Sequence, residues 1–410
     1  MKILSMRLLQ IFLLSILWSS QLFSQFNIKG KITDERNFPV SGVKVSIPGV
    51  VTSKSNDAGE FNLISFTKPY DLFIVDGSSR TSVLYSNLSI ENPELILFGV
   101  KNSRNTYIEP LKVTFPEIPY GRSAIVKFIS EDVFYSAEVI SASGETTKLL
   151  TIEWPKYSST LNGKVIYLER EQLEFTRFGE KTITTQSTNP NQSVKFTDAD
   201  FNRNPGSSTI YLSFPILKYE LKGYDVFADF LAFNRNSEFK IAGNNGDIVS
   251  TKVLVPSSLP FSYRLKVRGY GFGSDGSGFE NIVFAYPGTS YNLEELSHPV
   301  LLAPQNNLIG YNKNTLFAFE SGSGAGIYLL RFTSFYPEGN FYVVTTDKNF
   351  INPVERSGGV LDGNEFKWRV MKYSPFSSVD DFVKQKLFAN DMGFKQITIS
   401  PERTFKINAY

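Results

Sequence analysis

The stretch Asp198-Ala-Asp-Phe-Asn-Arg-Asn204 sets the side-chain oxygens of Asp198, Asp200, Asn202 and Asn204 at alternate positions. A calcium ion takes oxygens from a loop in this alternating way, but the EF-hand version also needs a glycine and a terminal glutamate. Both are missing here, so a plain turn is the expectation and calcium on Asp198, Asp200 and Asn202 the alternative. A second stretch, GYGFGSDGSGFE from Gly269 to Glu280, spaces its glycines as phosphate-cradling loops do. Such a loop opens a helix after a strand, and its P-loop form ends in Lys-Ser/Thr. Neither condition holds, so the stretch reads as a flexible hairpin tip, with Asp275 as the one contact it offers a calcium ion or a sugar.

Other chemistry is limited by what the chain lacks. There is no cysteine, hence no disulfide, thiolate nucleophile or cysteine-based zinc site. The single histidine, His298, stands before Pro299 in a linker. One imidazole cannot build a catalytic zinc site with its three or so protein ligands, and no Gly-x-Ser-x-Gly elbow supports serine catalysis. Glycoside cleavage needs two carboxylates across a cleft. The local pairs Asp198/Asp200 and Asp380/Asp381 sit instead in a turn and at a helix start, where acidic charge is favoured. Trp154 and Trp368 lie inside apolar strands, so core packing is expected before sugar stacking. Lysine plus arginine, at 42, nearly balances aspartate plus glutamate, at 40, so no nucleic-acid partner is expected, and no cofactor is called for.

The elements that position these residues are strands. From Asn27 to Val100, short alternating runs are separated by turn chemistry, with Pro39, Gly42 and the Asp57-Ala-Gly59 step as punctuation. Further runs (AIVKFI, LLTIEW, KVIYLER, STIYLSF, DVFADFLAF, TKVLVP, NIVFAYPG) recur with Gly/Asn/Pro turns between them, which argues for sandwiches over α/β units. The clearest helix is SSVDDFVKQKLF, where Ser378 and Asp381 approximate a capping box and Val379, Phe382, Val383 and Lys386 share a face. The fold expected is all-β, several β-sandwich modules in tandem with one short helix near the C-terminus. The modules expected span 25–102, 112–204, 205–292 (one unit with the previous module, or separate from it) and 297–410.

At the N-terminus, Lys2 and Arg7 precede an apolar run from Leu8 to Trp18, with Ser24 as the small residue before cleavage. This predicts a cleaved signal peptide over 1–24 and export, with no transmembrane helix left after cleavage.

Gly30-Lys-Ile-Thr-Asp34, then Pro39-Val-Ser-Gly42-Val43-Lys-Val45-Ser-Ile47-Pro-Gly49, then Asn56-Asp57-Ala-Gly59-Glu-Phe61, resembles the carboxypeptidase regulatory-like domain over residues 26–100. That resemblance implies a prealbumin-like β-sandwich that accompanies catalysis without performing it. Leu302-Ala-Pro304, Phe317 to Phe319, Tyr328 and Trp368 to Val370 resemble a fibronectin type III module over 297–376. Together these readings describe an exported, non-catalytic protein of the bacterial envelope or surface, in the periplasm, at the outer membrane or outside the cell. It would bind or scaffold a glycan or another envelope protein. The alternatives are an outer-membrane β-barrel related to TonB-dependent receptors, which the same domain often precedes, and a glycan-binding or glycan-acting protein.

Overall fold

A computed structural model of the chain describes residues 25–408 apart from 36, 66, 101–105, 131–134, 137, 157, 188–191, 215–218, 234, 248, 323 and 385–395. The expected signal peptide over 1–24, and Lys386 of the expected helix, lie outside the described residues. What is described is almost entirely β and is built as tandem sandwiches, as the strand and turn spacing predicts.

The first module holds β1 (Phe26–Thr33), β2 (Lys44–Ile47), β3 (Val51–Lys54), β4 (Glu60–Ser65), β5 (Tyr70–Asp76), β6 (Thr81–Leu88) and β7 (Glu94–Ile96). Sheet β4-β1-β7 faces the run β3-β2-β5-β6. Alternation in β1 and β4 sends Ile28, Ile32, Phe61 and Leu63 into the core and leaves the other face wet. The turn before β4 closes on Asn56, whose Oδ1 accepts from the Ala58 and Glu60 amides at 3.0 and 2.8 Å. Gly59 takes φ +75° there, and a β-carbon would strike the Ile32 carbonyl oxygen.

The next strands are β8 (Thr106–Thr114), β9 (Arg122–Ser130), β10 (Tyr135–Ser136), β11 (Val139–Ser141), β12 (Thr147–Pro155), β13 (Thr160–Glu171), β14 (Glu174–Gln186) and β15 (Ser193–Lys195). After them come β16 (Ser207–Ser213), β17 (Leu221–Ala232), β18 (Arg235–Asn245), β19 (Ser250–Pro256), β20 (Tyr263–Phe272), β21 (Gly278–Ala285) and β22 (Ser290–Asn292). Both groups repeat the topology of the first module. The opening strand of each lies between an antiparallel strand from mid-module and a parallel strand from its end. The facing sheets are β11-β9-β13-β14 and β18-β17-β20-β21, the same order as β3-β2-β5-β6. Nothing in the sequence announces this repetition. The outer face of β9 and β13 packs Ile125, Ile129, Ile166 and Leu168 into one core with Val226, Phe230, Ile241 and Val267 of the following module.

The last group holds β23 (Val300–Ala303), β24 (Leu308–Ile309), β25 (Leu316–Glu320), β26 (Ile327–Ser334), β27 (Gly339–Thr345), β28 (Asn349–Ile351), α1 (Pro353–Arg356), β29 (Glu365–Ser374), α2 (Val379–Lys384), β30 (Gln396–Ile399) and β31 (Arg403–Lys406). Sheet β23-β25-β28 covers one face of β27-β26-β29. The expected helix is α2, with Val379, Phe382 and Val383 buried; α1 is a single turn started by Pro353 that sequence patterning does not reveal.

The groups do not hang as beads on a string. β27 pairs in parallel with β6, from Asn340↔Thr81 to Val344↔Tyr85. β30 pairs with both β29 and β21. A fourteen-stranded sheet results, running open-ended from β18 to β3. On one of its faces Val83 and Tyr85 share a core with Leu329, Tyr342, Val344, Tyr373 and Phe376, and α2 adds Val379, Phe382 and Val383. On the other, Leu84 joins Phe332, Phe341, Val343 and Trp368.

Phe382 is fully buried and sits edge-on to Tyr373 at 5.4 Å and Phe376 at 5.3 Å. Phe382→Ala is therefore expected to cost about 3–5 kcal/mol. Chemical denaturation would show this as an earlier midpoint, and a loss below about 1 kcal/mol would mean that α2 does not tie the first and last groups together.

Candidate functional site

The parallel pairing creates a cleft at the carboxyl ends of β6 and β27. It encloses about 340 Å³ and is lined by Asp71, Ser86, Asn87, Thr345, Asp347, Asn349, Phe350, Ile351 and Arg356. Each wall is fixed locally. Asn87 takes φ 59° in a bulge near the end of β6, and its amide donates to Asp71 Oδ1 at 3.0 Å. At the end of β27, Thr345 Oγ1 accepts from the Asp347 amide at 2.9 Å, so the chain bends into β28. Phe350 is buried against Phe332 and Phe341, and the Arg356 guanidinium lies 4.6 Å from its ring centre.

Asp347 and Asn349 are exposed at the mouth. Carboxylates accept hydrogen bonds and amides both donate and accept, so this rim can pair with alternating hydroxyls. Clefts of this volume at module boundaries are where small ligands preferentially bind. A wider groove of about 640 Å³ crosses the first module past Lys29, Lys31 and Lys54. It belongs to one module, and two of its polar groups satisfy each other, Asn56 Nδ2 donating to Glu60 at 3.1 Å.

The residues singled out in the sequence lie elsewhere. Asp198–Asp200 forms a 3₁₀ turn that straps the free edge of β14. The Phe178 amide donates to the Arg203 carbonyl at 3.0 Å, Arg177 pairs with Asp198 at 3.4 Å and Lys181 with Asp200 at 2.8 Å. Phe201 lies over Gly179, where a β-carbon would come within 2.9 Å of its ring. Asp200 also accepts from the Thr197 amide and hydroxyl at 2.6 and 2.8 Å. Asn202 is exposed, and Asn204 accepts from the Gly206 amide at 2.9 Å. The carboxylates of this stretch are thus turned to protein cations and amides. Among the described residues no group of three or more His, Asp or Glu converges as a metal cage.

Asp275 caps its own turn, taking the Ser277 amide at 2.9 Å and hydroxyl at 2.6 Å, and these bonds hold its carboxyl below the usual range. The run FSYRLKVRGYGFG reads as a strand and GYGFGSDGSGFE as a hairpin tip, and the structure divides the two between them. Gly269 to Phe272 extend β20 and Gly278 to Glu280 begin β21, leaving only 273–277 as the turn. Gly271 and Gly278 let Tyr219 and Phe272 pack closely, and the Asp275 carbonyl accepts from the Glu402 amide at 3.1 Å. Ring nitrogen Nδ1 of His298 lies 3.1 Å from the Pro299 carbonyl. Asp380 accepts from the Ser89 amide at 2.9 Å, tying α2 to the first module. Trp154 and Trp368 are fully buried. No helix among the described residues is long and apolar enough to cross a membrane.

Sequence patterning does not reveal the cleft, because its walls come from segments near 71–87 and 345–356 that lie far apart in the chain.

No protein-family model matches the chain, and no curated protein matches it. Among solved structures it is similar to a leucine-rich repeat protein from Bacteroides thetaiotaomicron VPI-5482, at 12% identity and TM-score 0.17, over 46% of this chain and 26% of that one. It is similar to the Bacillus anthracis TIE protein at 12% identity and TM-score 0.16, covering 66% and 50%. It is also similar to BcpA, the major pilin subunit of Bacillus cereus, at 8% identity and TM-score 0.13, covering 66% and 99%. The chain thus spans about a quarter of the leucine-rich repeat protein and half of the TIE protein. At such scores these likenesses carry no argument about function.

Lys181 and the Thr197 donors hold the Asp200 carboxyl down to about 2, from 3.8. A carboxyl depressed in the folded state stabilises it above the unfolded pKa, and that contribution is lost as pH falls through the folded value. The wild-type melting temperature should therefore drop more steeply than that of Asp200→Asn between about pH 4 and about pH 2. Parallel pH profiles for the two proteins would remove the strap from this role.

Proposed function

We propose that the chain is an exported, non-catalytic binding and scaffolding protein of the bacterial cell envelope or surface, with the seam cleft as its ligand seat. The observation that carries the reading is that two sequence-distant modules build one cleft together, with a carboxylate and amide rim over an aromatic floor. This lining suits a hydroxyl-rich ligand, so a glycan is the chemical class we assign. The basic-then-apolar start of the chain supports export. Residues 25–102 serve in this reading as a carboxypeptidase regulatory-like docking module, which the β4-β1-β7 and β3-β2-β5-β6 sandwich supports. The last group serves as a fibronectin type III-like module, supported by its β23-β25-β28 sheet packed on β27-β26-β29.

The test is a glycan array with the mature chain and with a double variant, Asp347→Ala and Asn349→Ala. Both residues are exposed, so folding should be unaffected. Binding is expected to weaken at least about tenfold, or about 1.4 kcal/mol. A flat array for the wild type, or equal binding by both proteins, would reject the cleft as a glycan seat.

A further inference from the structure

Arg331 on β26 and Arg369 on β29 are direct partners across an antiparallel pair. Like charges directly opposite one another destabilise a sheet. Here the pair is also half-buried, which removes water that would screen it. Arg331 is anchored from one side, its Nε and Nη2 both donating to Asn340 Oδ1 at 3.2 and 2.9 Å. Arg369 has no such anchor. Its Nε is buried with no hydrogen-bond partner among the described residues, and an unmade bond at a buried donor is costly. Burial and the neighbouring Arg331 both pull the Arg369 guanidinium below its usual pKa.

The charges that could neutralise the pair are committed elsewhere or out of reach. Glu402, the carboxylate facing Arg369, is paired with Lys367 at 3.2 Å. Glu35 accepts from the Gly99 amide at 3.2 Å. Among the described residues, neither arginine lies within 4.0 Å of a carboxylate oxygen. The site is formed where three modules meet. Gly276 of the β20–β21 turn stands beside Arg369, where an added β-carbon would lie 3.9 Å from its Nη1. Tyr342, whose ring lies 5.7 Å from the Arg331 guanidinium, packs on Phe98 of the first module.

We propose that Arg331 and Arg369 together seat an oxyanion, a phosphate or sulfate group, at this three-module junction. The guanidinium N–H groups that Asn340 does not take match such a group by charge-assisted hydrogen bonds, and its charge would offset the repulsion of the pair. The oxyanion is either free or carried on a larger molecule such as a sulfated sugar. This proposal is independent of the seam cleft.

The experiment follows thermal unfolding of the full mature chain in sodium phosphate or sodium sulfate against sodium chloride at matched ionic strength. A ligand that binds only the folded state raises the melting temperature saturably. Wild type is expected to show a saturable rise, while Arg369→Gln shows none. Arg369→Gln should also melt no lower than wild type without the anion, since it removes both the repulsion and the orphan donor. Arg369→Lys keeps the charge without the fork and should need at least about tenfold more anion. Lys164→Gln, on β13 of the second module and paired there with Glu180, should respond as wild type does. A saturable rise with a sulfated disaccharide at far lower concentration than with sulfate would assign the oxyanion to a sugar, and equal potency to a free ion. The proposal is overturned if wild type shows no saturable rise up to about 50 mM, or if Arg331→Gln and Arg369→Gln respond as it does.

Discussion

The parallel pairing of β6 with β27 is the constraint on which the rest of the molecule depends. Parallel strands are stable where both faces are covered. Every described residue of β6 except Asn87 is buried, and β27 is buried along nearly its whole length. One face is closed by β4-β1-β7 together with α2, the other by β23-β25-β28. Polar atoms trapped in the seam must then find partners inside it. Ser82 Oγ donates to the Ser357 carbonyl at 2.7 Å, and Arg80 reaches the carbonyls of Glu338 and Val360 at 3.1 Å each. The cleft follows from the same geometry, since two parallel strands that end side by side must send their chains apart.

A second consequence is the division of labour along β29. Its first half pairs with β31 and its last with β30, and α2 lies between β29 and β30 in the chain. That stretch carries two further ties of the last module, beside the pairing of β27 with β6. The helix docks on β6 and β7, while β30 reaches β21. Arg369 lies on β29 between the segments paired with β31 and β30, and Arg331 faces it from β26, so the pair's electrostatics are set by three modules and not by one.

How much of this is legible in the sequence depends on how many faces a strand buries. β1 and β4 bury one face each, so their alternation and the Asn56–Gly59 turn can be read directly. β6, reading TSVLYSNL, buries both and shows no period of two, so it does not stand out. β14 and β18 escape notice for the opposite reason. They are long sheet edges rich in polar residues, and their strand character comes from pairing with β13 and β17. In β17 the aspartates 225 and 229 look like surface residues, yet both are buried under Lys240, Arg268 and Arg264. The seam itself joins residues 81–85 to 340–344, and no local pattern encodes a contact of that separation. The partners of Asp198 and Asp200 are not legible either, because Arg177 and Lys181 lie on a strand the pattern does not show.

The repeated topology explains where the docking happens. In the order shared by the first three modules, the outermost strand of the four-stranded run is β6, β14 or β21. Such an edge presents unpaired backbone groups and invites pairing. β6 is completed by β27 and β21 by β30, so two copies use the same edge to join the last module. Among the described residues β14 has no strand beyond it, and it is the copy that carries the Asp198–Arg203 strap. The oxygens that resemble a calcium loop are therefore placed to neutralise Arg177 and Lys181 while the Arg203 carbonyl takes the Phe178 amide. Edge protection accounts for that stretch without a ligand. The unbalanced guanidinium at Arg369 has no comparable structural account, and for that reason the ligand argument belongs at the junction of three modules and not on the loop whose sequence first suggests one.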